Sequence, residues 1–69
     1  MPPAPLPPPW SIVENPESFV INDATGQPLA YLYFEDDAGR RQTMDRLTKD
    51  EARRIAVNIA RLPELLTAK

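Results

Sequence analysis

Neither cysteine nor histidine occurs in this 69-residue chain, and the two absences constrain its fold more than any motif it contains. A chain this short buries only about 60% of the surface its unfolded form exposes, so its stability is marginal without a supplement. Small domains draw that supplement from disulfides, a structural metal or a partner subunit. Without cysteine no disulfide forms, and without cysteine or histidine the commonest ligands for zinc and its neighbours are missing. Self-association is the supplement left. The length accommodates one hydrophobic core.

Residues 1–9 contain six prolines and no positive charge, a composition opposed to the basic, helical start of an export signal. The longest apolar run, 29–34, is far short of the roughly 20 residues that a membrane-spanning helix needs. A cytoplasmic chain with no membrane partner is therefore expected. The prolines also remove backbone donors and favour extended polyproline II, so 1–9 is read as a disordered tail ahead of one domain over 10–69. Pro2, Pro5 and Pro8 match the spacing that aromatic-grooved modules recognise, but no flanking Arg or Lys fixes a direction, and the segment reads as a spacer.

Past the tail, turn chemistry divides the chain into short strands. Residues 10–14 carry the bulky Trp10, Ile12 and Val13 and close at Asn15-Pro16, the pattern of a strand ending in a turn. In Ser18–Asn22, Phe19 and Ile21 share a face opposite Val20. Asp23, Gly26 and Pro28 then supply a hairpin loop, with Gly at a position of positive φ. Over 29–35, Ala30, Leu32 and Phe34 alternate with Tyr31, Tyr33 and Glu35, which predicts a strand with one apolar face and one tyrosine face. The polar run Asp36-Asp37-Ala38-Gly39 reads as a further turn, returning 40–45 as a charged edge strand. Arg40 and Arg41 would then pair across it with Glu35, Asp36 and Asp37.

Thr48 and Glu51 form a capping box just before an apolar period, which starts a helix. Ala52, Ile55, Ala56, Ile59 and Leu62 recur at helical spacing, with Arg53, Arg54, Asn58 and Arg61 opposite. Pro63 is tolerated in a new first turn, so 64–68 is expected to add a brief second turn that sets Leu65 or Leu66 over the edge of the core. The fold class that follows is α+β: a small three- or four-stranded antiparallel meander packed on one face by a single C-terminal helix.

Catalytic chemistry finds little material here. Acid–base and nucleophilic mechanisms need a base beside a nucleophile, and the chain offers two serines, Ser11 and Ser18, without His or Cys. Glu35, Asp36 and Asp37 are adjacent, but neighbouring strand residues point to opposite sides, and the run lacks the alternating spacing of a calcium loop. The expectation is a protein that is not an enzyme, with no catalytic residue, no metal ligand and no cofactor.

Charge is unevenly divided. Residues 1–39 carry six acids and no base, whereas residues 40–69 carry eight bases and four acids, for a net charge of −2. Such asymmetry suits an electrostatic partner or a basic half folded against an acidic one. Two partner readings follow. A single helix leaves one sheet face open, so Tyr31 and Tyr33 become the expected contact with an unknown protein partner or with a second copy in a homodimer. The alternative is a nucleic-acid-associated protein in which Arg40, Arg41, Arg53, Arg54 and Arg61 meet phosphates while the tyrosines stack bases.

The stretch G-Q-P-L-A-Y-L-Y-F-E-D from Gly26, with L-T-K-D-E-A-R-R-I-A-V-N-I-A-R-L-P-E-L-L from Leu47 to Leu66, resembles a group of short uncharacterised bacterial proteins. The resemblance covers most of the chain beyond the tail. It implies a bacterial cytoplasmic setting and carries no activity, cofactor or site residue.

Overall fold

The computed structural model describes residues 6–67. Three strands, β1 (Ser11–Glu14), β2 (Ser18–Asn22) and β3 (Pro28–Tyr33), precede three helices, α1 (Ala38–Met44), α2 (Lys49–Ala60) and α3 (Leu62–Thr67). The strands form one antiparallel sheet in the order β1-β2-β3, the small α+β meander that the alternation predicts. Among the described residues no helix is long and apolar enough to cross a membrane.

Local chemistry closes both hairpins. At the first, the Asn15 N–H donates to the Ser18 carbonyl at 2.8 Å. At the second, Asp23 is almost wholly buried. Its Oδ1 accepts from the Thr25 N–H at 2.9 Å, the Thr25 hydroxyl at 2.7 Å and the Gln27 N–H at 3.0 Å. These bonds, the Thr25 hydroxyl foremost, hold the Asp23 carboxyl below its ordinary pKa. Gly26 takes φ 90°, a conformation that side chains disfavour.

One sheet face is closed. Phe19, Ile21 and Phe34 cluster with Ala52 and Ala56 of α2, and Trp10, Ile12, Leu29, Ala30, Leu32, Leu47 and Ile59 pack around them. The Phe19 and Phe34 rings lie 5.2 Å apart at 44°, within the range of favourable aromatic pairs. Two alanines with no exposed surface let the α2 backbone lie close against the sheet. Thr48 starts this helix as the sequence predicts. Its hydroxyl accepts the Glu51 N–H at 3.1 Å, while the Glu51 carboxylate accepts the Thr48 N–H at 2.9 Å. The Thr48 backbone N–H, and then its hydroxyl, hold the Glu51 carboxyl below its usual pKa.

The expected edge strand over 40–45 is not formed: 40–44 belong to α1 and Asp45 caps it. Asp37 is extended at φ −74°, ψ 119°, and its Oδ1 accepts the Arg40 N–H at 2.9 Å, so a residue read as turn chemistry is an N-cap. The expected cross-strand ion pairs go with the strand. Instead, the Arg41 guanidinium donates to the carbonyls of Glu35 at 3.2 Å and Asp36 at 3.4 Å. The helix buries no residue, so it carries no apolar period for sequence reasoning to detect. Asp45 ends it in the left-handed region at φ 55°, and Leu47 then returns to the sheet in a single parallel bridge with Phe34.

Two further expectations are corrected. Ile55 is 41% exposed and Leu62 36%, because the α2 stripe that faces the sheet is centred on Ala52 and Ala56. Leu65 and Leu66 are more exposed still and do not cover the core. Pro63 falls at the second residue of α3, where its missing N–H costs no helical bond. Of the expected tail, residues 1–5 lie outside the described residues. Residues 6–9 run back along the fold: the Pro7 carbonyl accepts the Ala24 N–H at 2.9 Å and the Leu6 carbonyl accepts the Trp10 indole N–H at 3.0 Å.

Candidate functional site

The second face of the sheet carries no helix. Register places Val13, Val20 and Tyr31 in one row across the three strands and sets Ser18 opposite Tyr33. Because side chains alternate, this row lies on the face away from Phe19 and Ile21. Val20 is buried in the middle of the row, while Val13, Tyr31 and Tyr33 around it are roughly half exposed. The two tyrosine rings stack with centroids 6.2 Å apart and planes inclined by 13°. The Arg46 guanidinium sits 5.1 Å from the Tyr33 ring centroid and pairs with Glu17 at 3.3 Å. The result is a small aromatic and aliphatic surface with a cation fixed at one border.

Sequence reasoning singled out Tyr31 and Tyr33 but not Val13 or Arg46. The signal for Val13 was present, since strict alternation from Ile12 sends it to the tyrosine face. Arg46 gave none, because its position depends on α1 turning the chain back beside β3. Trp10 packs against the core on the helix side of the sheet and leaves the tyrosines uncovered.

The predicted basic residues divide into two groups. Arg53, Arg54 and Arg61 surround one shallow depression with Val57 and Asn58, whereas Arg40 and Arg41 lie on α1. Arg53 and Arg54 both pair with Asp50, at 3.2 and 2.9 Å, which lowers the positive field of that patch. The sheet separates the α2 arginines from the tyrosines, so the two do not share a surface. Elsewhere the acidic and basic halves meet directly, through Arg46 with Glu17 and through Lys49 with Glu14 at 2.8 Å.

The acidic triplet serves the backbone. Glu35 Oε2 accepts the Asp37 N–H at 3.2 Å, Asp36 Oδ1 accepts the first N–H of α2 from Lys49 at 2.9 Å, and Asp37 caps α1. Each carboxylate is thus a structural acceptor at a helix start or the turn before it.

These features define a class: a small α+β sheet domain with one face sealed by a helix and the other open and aromatic. Comparison with known proteins adds no family to that description, since no family model, no curated protein and no solved structure matches the chain.

Proposed function

We propose that the chain is a noncatalytic interaction module, and that it binds a protein partner through the open sheet face formed by Tyr31, Tyr33 and Val13. One observation carries the reading: Tyr31 and Tyr33 stay 52% and 48% exposed on a chain whose opposite sheet face is closed. Tyrosine suits such a surface because it offers a large contact area with a polar tip and few rotamers to immobilise. The resemblance to short bacterial proteins supports a bacterial cytoplasmic setting.

The test is capture of partners from cells by the tagged chain, with and without nuclease, using wild type and the double variant Tyr31→Ser/Tyr33→Ser. A specific protein that survives nuclease and moderate salt, and is lost in the double variant, is the expected result. Recovery that depends on nucleic acid and persists in the double variant would instead assign binding to Arg53, Arg54 and Arg61, with affinity falling steeply as salt rises.

A further inference from the structure

The segment before β1 and the junction of α2 with α3 face each other across an open groove of about 390 Å³. Pro8, Pro9 and Trp10 supply one wall, and Ala60, Arg61 and Pro63 supply the other. The lining is mostly apolar. Trp10 packs against the core yet is only half-buried, and it also lines the groove. Tyr31, Tyr33 and Val13 take no part in it, so what occupies the groove is independent of the function proposed above. Polyproline II segments dock in aromatic-lined grooves of this kind, because they are already extended and lose little freedom on binding.

A segment of that chemistry is joined directly to the groove. Residues 1–5 hold Pro2, Pro3 and Pro5 with Met1 and Ala4, and no charged side chain. The Leu6 carbonyl accepts the Trp10 indole N–H at 3.0 Å, so Pro5 is bonded to a residue already held at the aromatic ring. Leu6 also takes φ 60°, far from the roughly −75° of polyproline II, and the chain bends there instead of continuing the line of residues 7–9. Polyproline II rises about 3.1 Å per residue, so five residues extend roughly 15 Å, ample for a groove of this volume. A short tether holds its ligand at roughly millimolar effective concentration. A contact too weak to persist between free molecules is thereby populated within one chain. The link at Leu6 also fixes the direction of the segment, which a flanking Arg or Lys would fix in a free ligand.

We propose that the groove beside Trp10 is a polyproline site which this chain occupies itself, with residues 1–5 docked between Pro8-Pro9 and the α2–α3 junction. The docked prolines cover the part of the indole that the core leaves open. They also add apolar burial to a chain that has no disulfide.

Trp10 is the only tryptophan, so its emission reports on the groove alone. The experiment compares the purified full chain with the triple variant Pro2→Ser/Pro3→Ser/Pro5→Ser, which keeps the length of the segment and leaves every residue from Leu6 onward unchanged. With the groove about half occupied by so short a tether, acrylamide should quench Trp10 roughly twofold more efficiently in the variant. In the wild-type chain, nuclear Overhauser contacts should join the ring protons of Pro2 or Pro3 to those of the indole, at an intensity unaffected by dilution. Equal quenching of the two chains overturns the inference, and so does a difference in quenching without these proton contacts. Protection that fades on dilution also overturns it, and would assign the groove to the same segment of a second copy.

Discussion

The two faces of the sheet are made from the same three strands and the same kinds of residue, yet they end in opposite states. On one, Phe19, Ile21 and Phe34 meet the alanines of α2 and lose nearly all contact with water. On the other, Val13, Tyr31 and Tyr33 surround the buried Val20 and remain about half exposed. The difference lies in what the chain has left to spend on covering them. With 69 residues and one long helix, the fold closes one face, and the second carries tyrosines, whose hydroxyl tips tolerate water. Stability should therefore reside on the helix side and recognition on the other.

The sharpest way to break that comparison is to shorten a side chain on each face. Ile21 is fully buried, so Ile21→Ala should cost roughly 2–5 kcal/mol in denaturant unfolding by removing core volume. Tyr33→Ala should cost about 1 kcal/mol or less. Equal losses at the two positions would mean that the open face helps hold the fold and is not free for a partner.

A second contrast runs along α2. Ile59 packs against the core whereas Ile55 is 41% exposed, so Ile59→Ala should cost about 1–3 kcal/mol and Ile55→Ala less than about 1 kcal/mol. A reversed order would rotate the helix and put Ile55 on the sheet. Thr48→Ala should then cost about 1 kcal/mol, since it leaves the Glu51 N–H without its hydroxyl acceptor; an unchanged melting curve would show that the capping box contributes nothing.

Smaller effects are expected away from both faces. Asp45 holds a left-handed conformation that glycine adopts without strain, so Asp45→Gly should gain about 0.5 kcal/mol or less, the relief being partly offset by a looser unfolded chain. The Asp23 carboxyl has a folded pKa below its unfolded value. Its contribution is therefore present above the unfolded pKa and is lost as pH falls through the folded one, which places the loss below about pH 4. Asp23→Asn should flatten that acid limb of stability, and an unaltered limb would assign it to other carboxylates.

Much of this molecule is set by neighbours in sequence. Strand alternation fixes which side each residue of β2 and β3 takes, Asp23 and Gly26 close the hairpin between them, and Thr48 with Glu51 starts α2, because each signal works over a few residues. The tyrosine face was legible for the same reason. Tertiary structure decided the rest. Asp36-Asp37-Ala38-Gly39 serves equally as a hairpin turn or a helix start, and α1 has no buried face to mark its period, so only the placement of its ends, Arg41 on the carbonyls of Glu35 and Asp36 and Leu47 beside Phe34, distinguishes them. In α2 the apolar arc is wider than the strip that the sheet covers. Its sequence marks both Ile55 and Ala56 as inward, and the close approach of two backbones selects the alanines, since that choice is made by the distance between helix and sheet and not by the residues of the helix alone.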